Sequence, residues 1–97
     1  MLCNLAVRVV QDGSCMLRVS GRAALGPSGT GGRDAKYYAT ADALLSELKT
    51  FGLGPGIVSA AARVISDPEA RNRFINFADD VQISFDMLER SEFYLFD

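Results

Sequence analysis

Two runs of alternating apolar residues on either side of Gln11-Asp12-Gly13 constrain this chain more than anything else in its sequence. Cys3-Asn4-Leu5-Ala6-Val7-Arg8-Val9-Val10 comes before the turn, and Ser14-Cys15-Met16-Leu17-Arg18-Val19-Ser20 comes after it. An Asp-Gly between two β-rich runs is a strong hairpin signal. A two-residue loop would place Leu5, Val7 and Val9 on one face with Arg18. A three-residue loop, with Gly13 in the left-handed position of a bulge, separates the faces instead. Cys3, Leu5, Val7, Val9, Cys15, Leu17 and Val19 then line one side. Asn4, Arg8, Met16, Arg18 and Ser20 line the other, with Ala6 and Val10. A one-residue slip would carry a strand's whole apolar set to the wrong face, so the three-residue register is expected. In that register Cys15 lies opposite Val9, and Cys3 is roughly 20 Å further along at ~3.3 Å per residue. The two thiols therefore read as separate core residues rather than a disulfide, which suits a reducing cytoplasm.

The remaining residues read as a short strand and several helices. Residues 21–34 hold five glycines and a proline and are expected to form a flexible loop, long for a small domain. Lys36-Tyr37-Tyr38-Ala39 predicts a third strand. Thr40 is a suitable N-cap with Asp42 in the first turn, and the helix Ala41–Phe51 would bury Ala41, Leu44, Leu45, Leu48 and Phe51 before Gly52 ends it. A second helix is expected from Pro55 to Ile65, with Ile57, Val58, Ala61, Val64 and Ile65 inward. Ser66-Asp67-Pro68-Glu69 looks like a helix restart. It predicts a third helix to about Asp79, striped by Ala70, Phe74, Phe77 and Ala78. Val81-Gln82-Ile83 reads as extended, and Ser84 as the cap of a short last helix, Phe85–Arg90. The expected fold is α+β: an N-terminal antiparallel hairpin over residues 3–20, extended to three strands, packed against three to four short helices in one domain over residues 1–97.

Charge and composition remove several function classes. There is no His, so Ser-His-Asp or Cys-His nucleophile activation and His-ligated zinc are excluded. The net charge of −2 excludes gripping nucleic acid by bulk charge. It is unevenly spread, at +2 over residues 1–50 (six basic, four acidic) and −4 over residues 51–97 (four basic, eight acidic). No apolar run approaches the roughly 18–20 residues of a membrane span, and the first eight residues lack the basic start of a signal peptide. The Ala, Gly and Arg content is in keeping with a bacterial or phage source. Asp79-Asp80 and the Asp86/Glu89 pair read as solvated or helix-dipole charges rather than metal ligands. No cofactor, metal site or catalytic residue is expected.

Three stretches resemble known motifs. Gly26-Pro27-Ser28-Gly29-Thr30-Gly31-Gly32-Arg33 resembles the phosphate loop of P-loop NTPases in its glycine spacing. Gly32 and Arg33, however, occupy the places of the required Lys and Ser/Thr. Residues Lys49 to Ser59 resemble a helix-turn-helix, yet the second helix offers Ser59, Ala60, Ala62 and Arg63, a poor set for reading base edges. Residues Val9 to Leu48 resemble the N-terminal arm-binding domain of phage-type integrases, through Asp12-Gly13-Ser14 and the run Tyr37-Tyr38-Ala39-Thr40-Ala41-Asp42-Ala43. That resemblance implies a sheet face set into the DNA major groove, here carrying Arg8, Arg18 and Lys36. A nucleic-acid-binding surface of this kind would draw on Arg8, Arg18, Arg22, Arg33 and Lys36.

The C-terminal aromatics favour another reading. Phe93-Tyr94-Leu95-Phe96 is apolar at four successive positions, so no regular element hides all four on one face. The tail is expected either to be buried on both sides or to present an apolar patch to a protein partner or a second copy. The function expected from sequence is thus a small non-catalytic cytoplasmic module working through protein–protein contact, with the DNA-associated reading as its alternative.

Overall fold

The computed structural model describes residues 2–20 and 34–95. The glycine-rich loop expected at 21–34 lies, apart from Asp34, outside the described residues. The fold is α+β. The hairpin forms strands β1 (Leu2–Val9) and β2 (Cys15–Ser20), followed by β3 (Asp34–Tyr38), helices α1 (Ala41–Thr50) and α2 (Pro55–Ser66), strand β4 (Phe74–Gln82), helix α3 (Phe85–Arg90) and a two-residue strand β5 (Tyr94–Leu95). The antiparallel sheet runs β4-β1-β2-β3, with β5 bridging the outer edge of β3.

The hairpin adopts the three-residue register. Val9 pairs with Cys15, Val7 with Leu17 and Leu5 with Val19. Gly13 sits at φ +90° and its N–H donates to the Val10 carbonyl at 2.9 Å, while Val10 N–H donates to the Ser14 carbonyl. This is a type I turn closed by a glycine bulge. Asp12 tightens it by accepting from both the backbone N–H and the hydroxyl of Ser14, at 2.9 and 2.6 Å. The apolar face predicted from that register is the core: Cys3, Leu5, Val7, Val9, Cys15, Leu17 and Val19 are all buried.

Helices α1 and α2 cover that face. Thr40 caps α1 by accepting from Ala43 N–H at 3.2 Å, and Leu44 and Leu48 drop into the core. Phe51 follows them, and Gly52 at φ +74° turns the chain out of the helix. Pro55 starts α2, which buries Ala61 and lies over β1 and β4. Ser84 caps α3 through Met87 N–H, so Ile83 and Leu88 complete the core.

The third helix expected to about Asp79 does not form. Phe74–Gln82 is instead a strand paired antiparallel with β1, from Phe74 opposite Arg8 to Gln82 opposite Leu2. The physical cause lies in β1. Leu5, Ala6 and Val7 are buried in succession, so the middle of this strand is shut off from water, and its backbone groups there need partners on both edges. Asp67 does act as the restart signal suggests, accepting from Glu69 N–H at 3.0 Å, but the chain makes only a turn there. Asn72 at φ +63° lies just before the strand and Asp80 at φ +53° within its bulged second half, both residue types that tolerate the left-handed region. The register with β1 shifts twice, between Ala6 and Leu5 and between Leu5 and Cys3, so β4 carries two bulges beyond Asn76.

Gly13→Ala should cost about 1 kcal/mol, because a Cβ there meets no atom within 4 Å and the whole penalty is the left-handed backbone. Gly54→Ser, at an N-cap with an ordinary φ, should stay within about 0.5 kcal/mol of the parent. Urea unfolding of both variants measures the contrast.

Candidate interaction surface

Four places on the fold bear on function, beginning with the flank formed by α2 and β4. An open notch of about 430 Å³ between α1 and α2 is lined by Lys49, Leu53, Pro55, Val58 and Ser59. It fixes which side of α2 faces α1. With Ala61 pointing at the sheet, helical spacing puts Ile57, Ala60 and Val64 on the opposite side, away from α1 and towards β4. All three are partly buried, with Ile57 and Val64 packed against the core. Beside them β4 is the end strand of the sheet, and its Phe74, Ile75 and Phe77 are likewise partly buried. An apolar helix side and a strand edge that no strand among the described residues pairs with therefore lie next to one another.

The charge on this edge is ordered along the strand. Arg71 and Arg73 are exposed before it, and Asp79 and Asp80 are exposed at its far end. None of the four makes an ion pair among the described residues. Asp79 accepts a hydrogen bond from the Asn76 side chain at 2.8 Å, and Asp80 N–H donates to the Asn4 side chain at 3.0 Å.

The second place is the sheet face turned away from the helices. It carries Arg8, Arg18 and an exposed Tyr37. The guanidinium carbon of Arg18 lies 4.6 Å from the centre of the Phe74 ring, so this cation is folded down on the sheet rather than extended into solvent. Lys36, expected on the same face, is on the other one. It pairs with Leu17 of the core side and its Nζ reaches Glu47 of α1 at 3.0 Å. The alternation along β3 decides this, since Ala35 and Tyr37 take the outer face and Lys36 and Tyr38 the inner. Arg22 and Arg33 lie outside the described residues. The cations singled out in the sequence are thus not gathered on one face.

Glu47, Lys36 and Tyr38 form the third cluster. Glu47 accepts from Lys36 with one oxygen and from the Tyr38 hydroxyl with the other, and Lys36 Nζ sits 5.3 Å from the Tyr38 ring centre. Burial, and next the adjacent Glu47 carboxylate, push the Tyr38 hydroxyl well above the ordinary tyrosine range. The cluster ties β3 to α1.

The tail is the fourth. Phe93 turns inward, packing against the core with its ring centre 6.1 Å from that of Phe51. Tyr94 and Leu95 pair with Ala35 and Asp34, closing part of the β3 edge. Phe96 lies outside the described residues. The partner patch expected at Phe93, Tyr94, Leu95 and Phe96 thus begins with a residue engaged within the fold. Among the described strands the sheet ends at the other side on β4, which a helical reading of residues 68–79 conceals.

Both cysteines are free and buried. Desolvation raises the Cys3 thiol to about 11, and burial also raises Cys15. Neither sits beside a base that would activate it. No group of three His, Cys, Asp or Glu residues suited to a metal occurs among the described residues, and no helix there is long and apolar enough to cross a membrane. No family model matches the chain, and neither a curated protein nor a solved structure matches it.

Two outcomes follow from the buried groups. Cys3 and Cys15 should stay unreactive towards a disulfide reagent at pH 8 in the folded chain and both should react in denaturant. Fast modification without unfolding would contradict their burial. Tyr38 has a raised folded pKa, so its contribution is complete below the unfolded tyrosine value near pH ~10 and is lost as pH rises beyond it. The urea midpoint should therefore fall above that pH, and fall less steeply in Tyr38→Phe.

Proposed function

We propose that this chain is a small non-catalytic interaction module that works by protein–protein contact through the α2–β4 flank. The observation that carries this reading is the outer edge of β4, with which no strand pairs among the described residues, lying beside the partly buried Ile57, Ala60 and Val64 of α2. A free edge supplies backbone donors and acceptors to an added strand, and a neighbouring apolar surface supplies the burial that makes such addition stable. The two free buried thiols support a cytoplasmic setting for it.

A photo-crosslinking residue at position 60, compared with one at position 37 on the opposite sheet face, tests the reading in cells that express the full chain. Protein adducts should form from position 60 and be scarce from position 37. Adducts from position 37 alone, or from neither, would overturn it. Retention of the purified chain on duplex DNA at low salt, lost as salt rises and reduced by Arg8→Ala with Arg18→Ala, would support the DNA-associated alternative instead.

A further inference from the structure

The turn that sets the hairpin register also holds the one Asp-Gly pair of the chain, and no Asn-Gly occurs in the sequence. An aspartate followed by glycine is the pair most open to succinimide chemistry, because no side chain shields the glycine nitrogen. The Gly13 nitrogen attacks Asp12 Cγ and closes the succinimide ring, and the amide proton leaves with the carboxyl hydroxyl as water. Water then adds to one of the two ring carbonyls. Opening at one returns aspartate, and opening at the other gives isoaspartate, whose backbone runs through Cβ and Cγ. Water is the only co-reactant, and the product has the mass and charge of the parent. We infer that Asp12-Gly13 is a site of spontaneous aspartate isomerisation that the folded hairpin turn suppresses, and that Ser14 is the residue that suppresses it.

Each requirement of the reaction is withheld by a bond in the turn. The Gly13 nitrogen must give up its proton, and that N–H donates to the Val10 carbonyl at 2.9 Å, in a turn closed by Val10 N–H on the Ser14 carbonyl. The Asp12 carboxyl must swing over the Gly13 nitrogen. Its Oδ1 accepts instead from the Ser14 N–H at 2.9 Å and the Ser14 hydroxyl at 2.6 Å, which directs it past Gly13. The carboxyl must also be protonated to lose water, and the Ser14 hydroxyl, then the Ser14 N–H, hold it below the ordinary carboxylate range. Bulk contributes nothing to this protection. Asp12 and Gly13 are exposed, and a Cβ built on Gly13 meets no atom within 4 Å. Ser14 itself is buried, which keeps its hydroxyl on Asp12 rather than on solvent.

The site lies where an added backbone atom does most damage. Isoaspartate lengthens the chain by one atom between the Asp12 Cα and the Gly13 nitrogen. The three-residue turn sets Val9 opposite Cys15, and through that pair Val7 opposite Leu17 and Leu5 opposite Val19. A longer turn gives up either the Gly13–Val10 bond or the register. A slip of register carries Cys15, Leu17 and Val19, all buried, to the wrong face. Isomerisation thus destabilises the chain at the element from which the sheet is built, and Ser14 sets how long the hairpin keeps its register. This inference goes beyond the interaction reading of the flank and does not depend on it.

Ageing the full chain at mildly acidic pH tests it, with isoaspartate at residue 12 read by peptide mapping and electron-transfer fragmentation. The folded chain should isomerise at least about tenfold more slowly than the same chain in guanidinium chloride, since the reaction waits for the turn to open. Ser14→Ala keeps the backbone bond to Asp12 and loses the hydroxyl bond, so it should age faster than the folded parent. Ser14→Thr restores a hydroxyl and should return to the parent rate. In guanidinium chloride all three chains should react alike, which separates the effect of the turn from that of the local sequence. Circular dichroism checks that each variant is folded, and the contrast between folded and denatured parent stands without any variant. The isoaspartate chain, separated by ion exchange from an aged sample, should unfold at lower urea than the parent. Equal rates in the folded and denatured parent, or a folded Ser14→Ala that ages no faster than the parent, would overturn the suppression by the turn. An isoaspartate chain as stable as the parent would overturn its link to the register.

Discussion

The burial of the middle of β1 is the constraint on which the rest of this structure depends. Leu5, Ala6 and Val7 lie in succession out of solvent, so the strand's backbone there cannot turn to water. Each of its backbone donors and acceptors must then be matched within the protein. The hairpin supplies one edge at little entropic cost, because β2 follows after a three-residue glycine turn rather than a long loop. The other edge has to be supplied from far along the chain. Residues 74–82 provide it, and the helical hairpin is the bridge that carries the chain there from the far side of the sheet. The helical layer, the core it covers and the place of β4 beside β1 all follow from that one requirement.

The same requirement redistributes the charges. Along the sequence the first half is net positive and the second half net negative, which suggests a cationic sheet end opposed to an acidic helical end. In the fold Lys36 is held by Glu47 between β3 and α1, and Arg18 lies over Phe74. Arg71 and Arg73 at one end of the strand edge and Asp79 and Asp80 at the other make no ion pair among the described residues. Two cations and two anions from the acidic half of the chain thus share one edge. Charge order along a strand, not the balance between halves, sets what that edge presents.

Parts of the fold were legible because their signals are local. The Gln11-Asp12-Gly13 turn fixes the hairpin register through the left-handed glycine, Thr40 and Ser84 cap helices where their side chains reach backbone N–H groups, and Pro55 starts α2. Residues 66–80 are not legible, since Ala70, Phe74, Phe77 and Ala78 keep helical spacing and Asp67-Pro68 imitates a helix start, whereas Val81-Gln82 reads correctly as extended. The same residues also satisfy an extended strand, and only pairing with β1 separates the two. Asn72 and Asp80 are the available clue, as residues that accept positive φ just before a strand and within its bulged part. The aromatic tail is engaged within the fold at its start, where Phe93 is turned onto Phe51.

By itself the sequence determined the hairpin, its apolar face, the separation of the two thiols and the starts of the helices, because each depends on backbone preferences and alternation within a few residues. It also removed imidazole chemistry outright, since the chain has no His. Only the tertiary structure decided that Phe74–Gln82 is a strand, that Lys36 faces inward and that, among the described strands, the sheet ends on β4. The strand and its edge turn on contacts between residues far apart in the chain, as Cys3 opposite Val81 illustrates, and the side Lys36 takes turns on the pairing of β3 with β2. A local pattern carries no record of which strand will need a second neighbour.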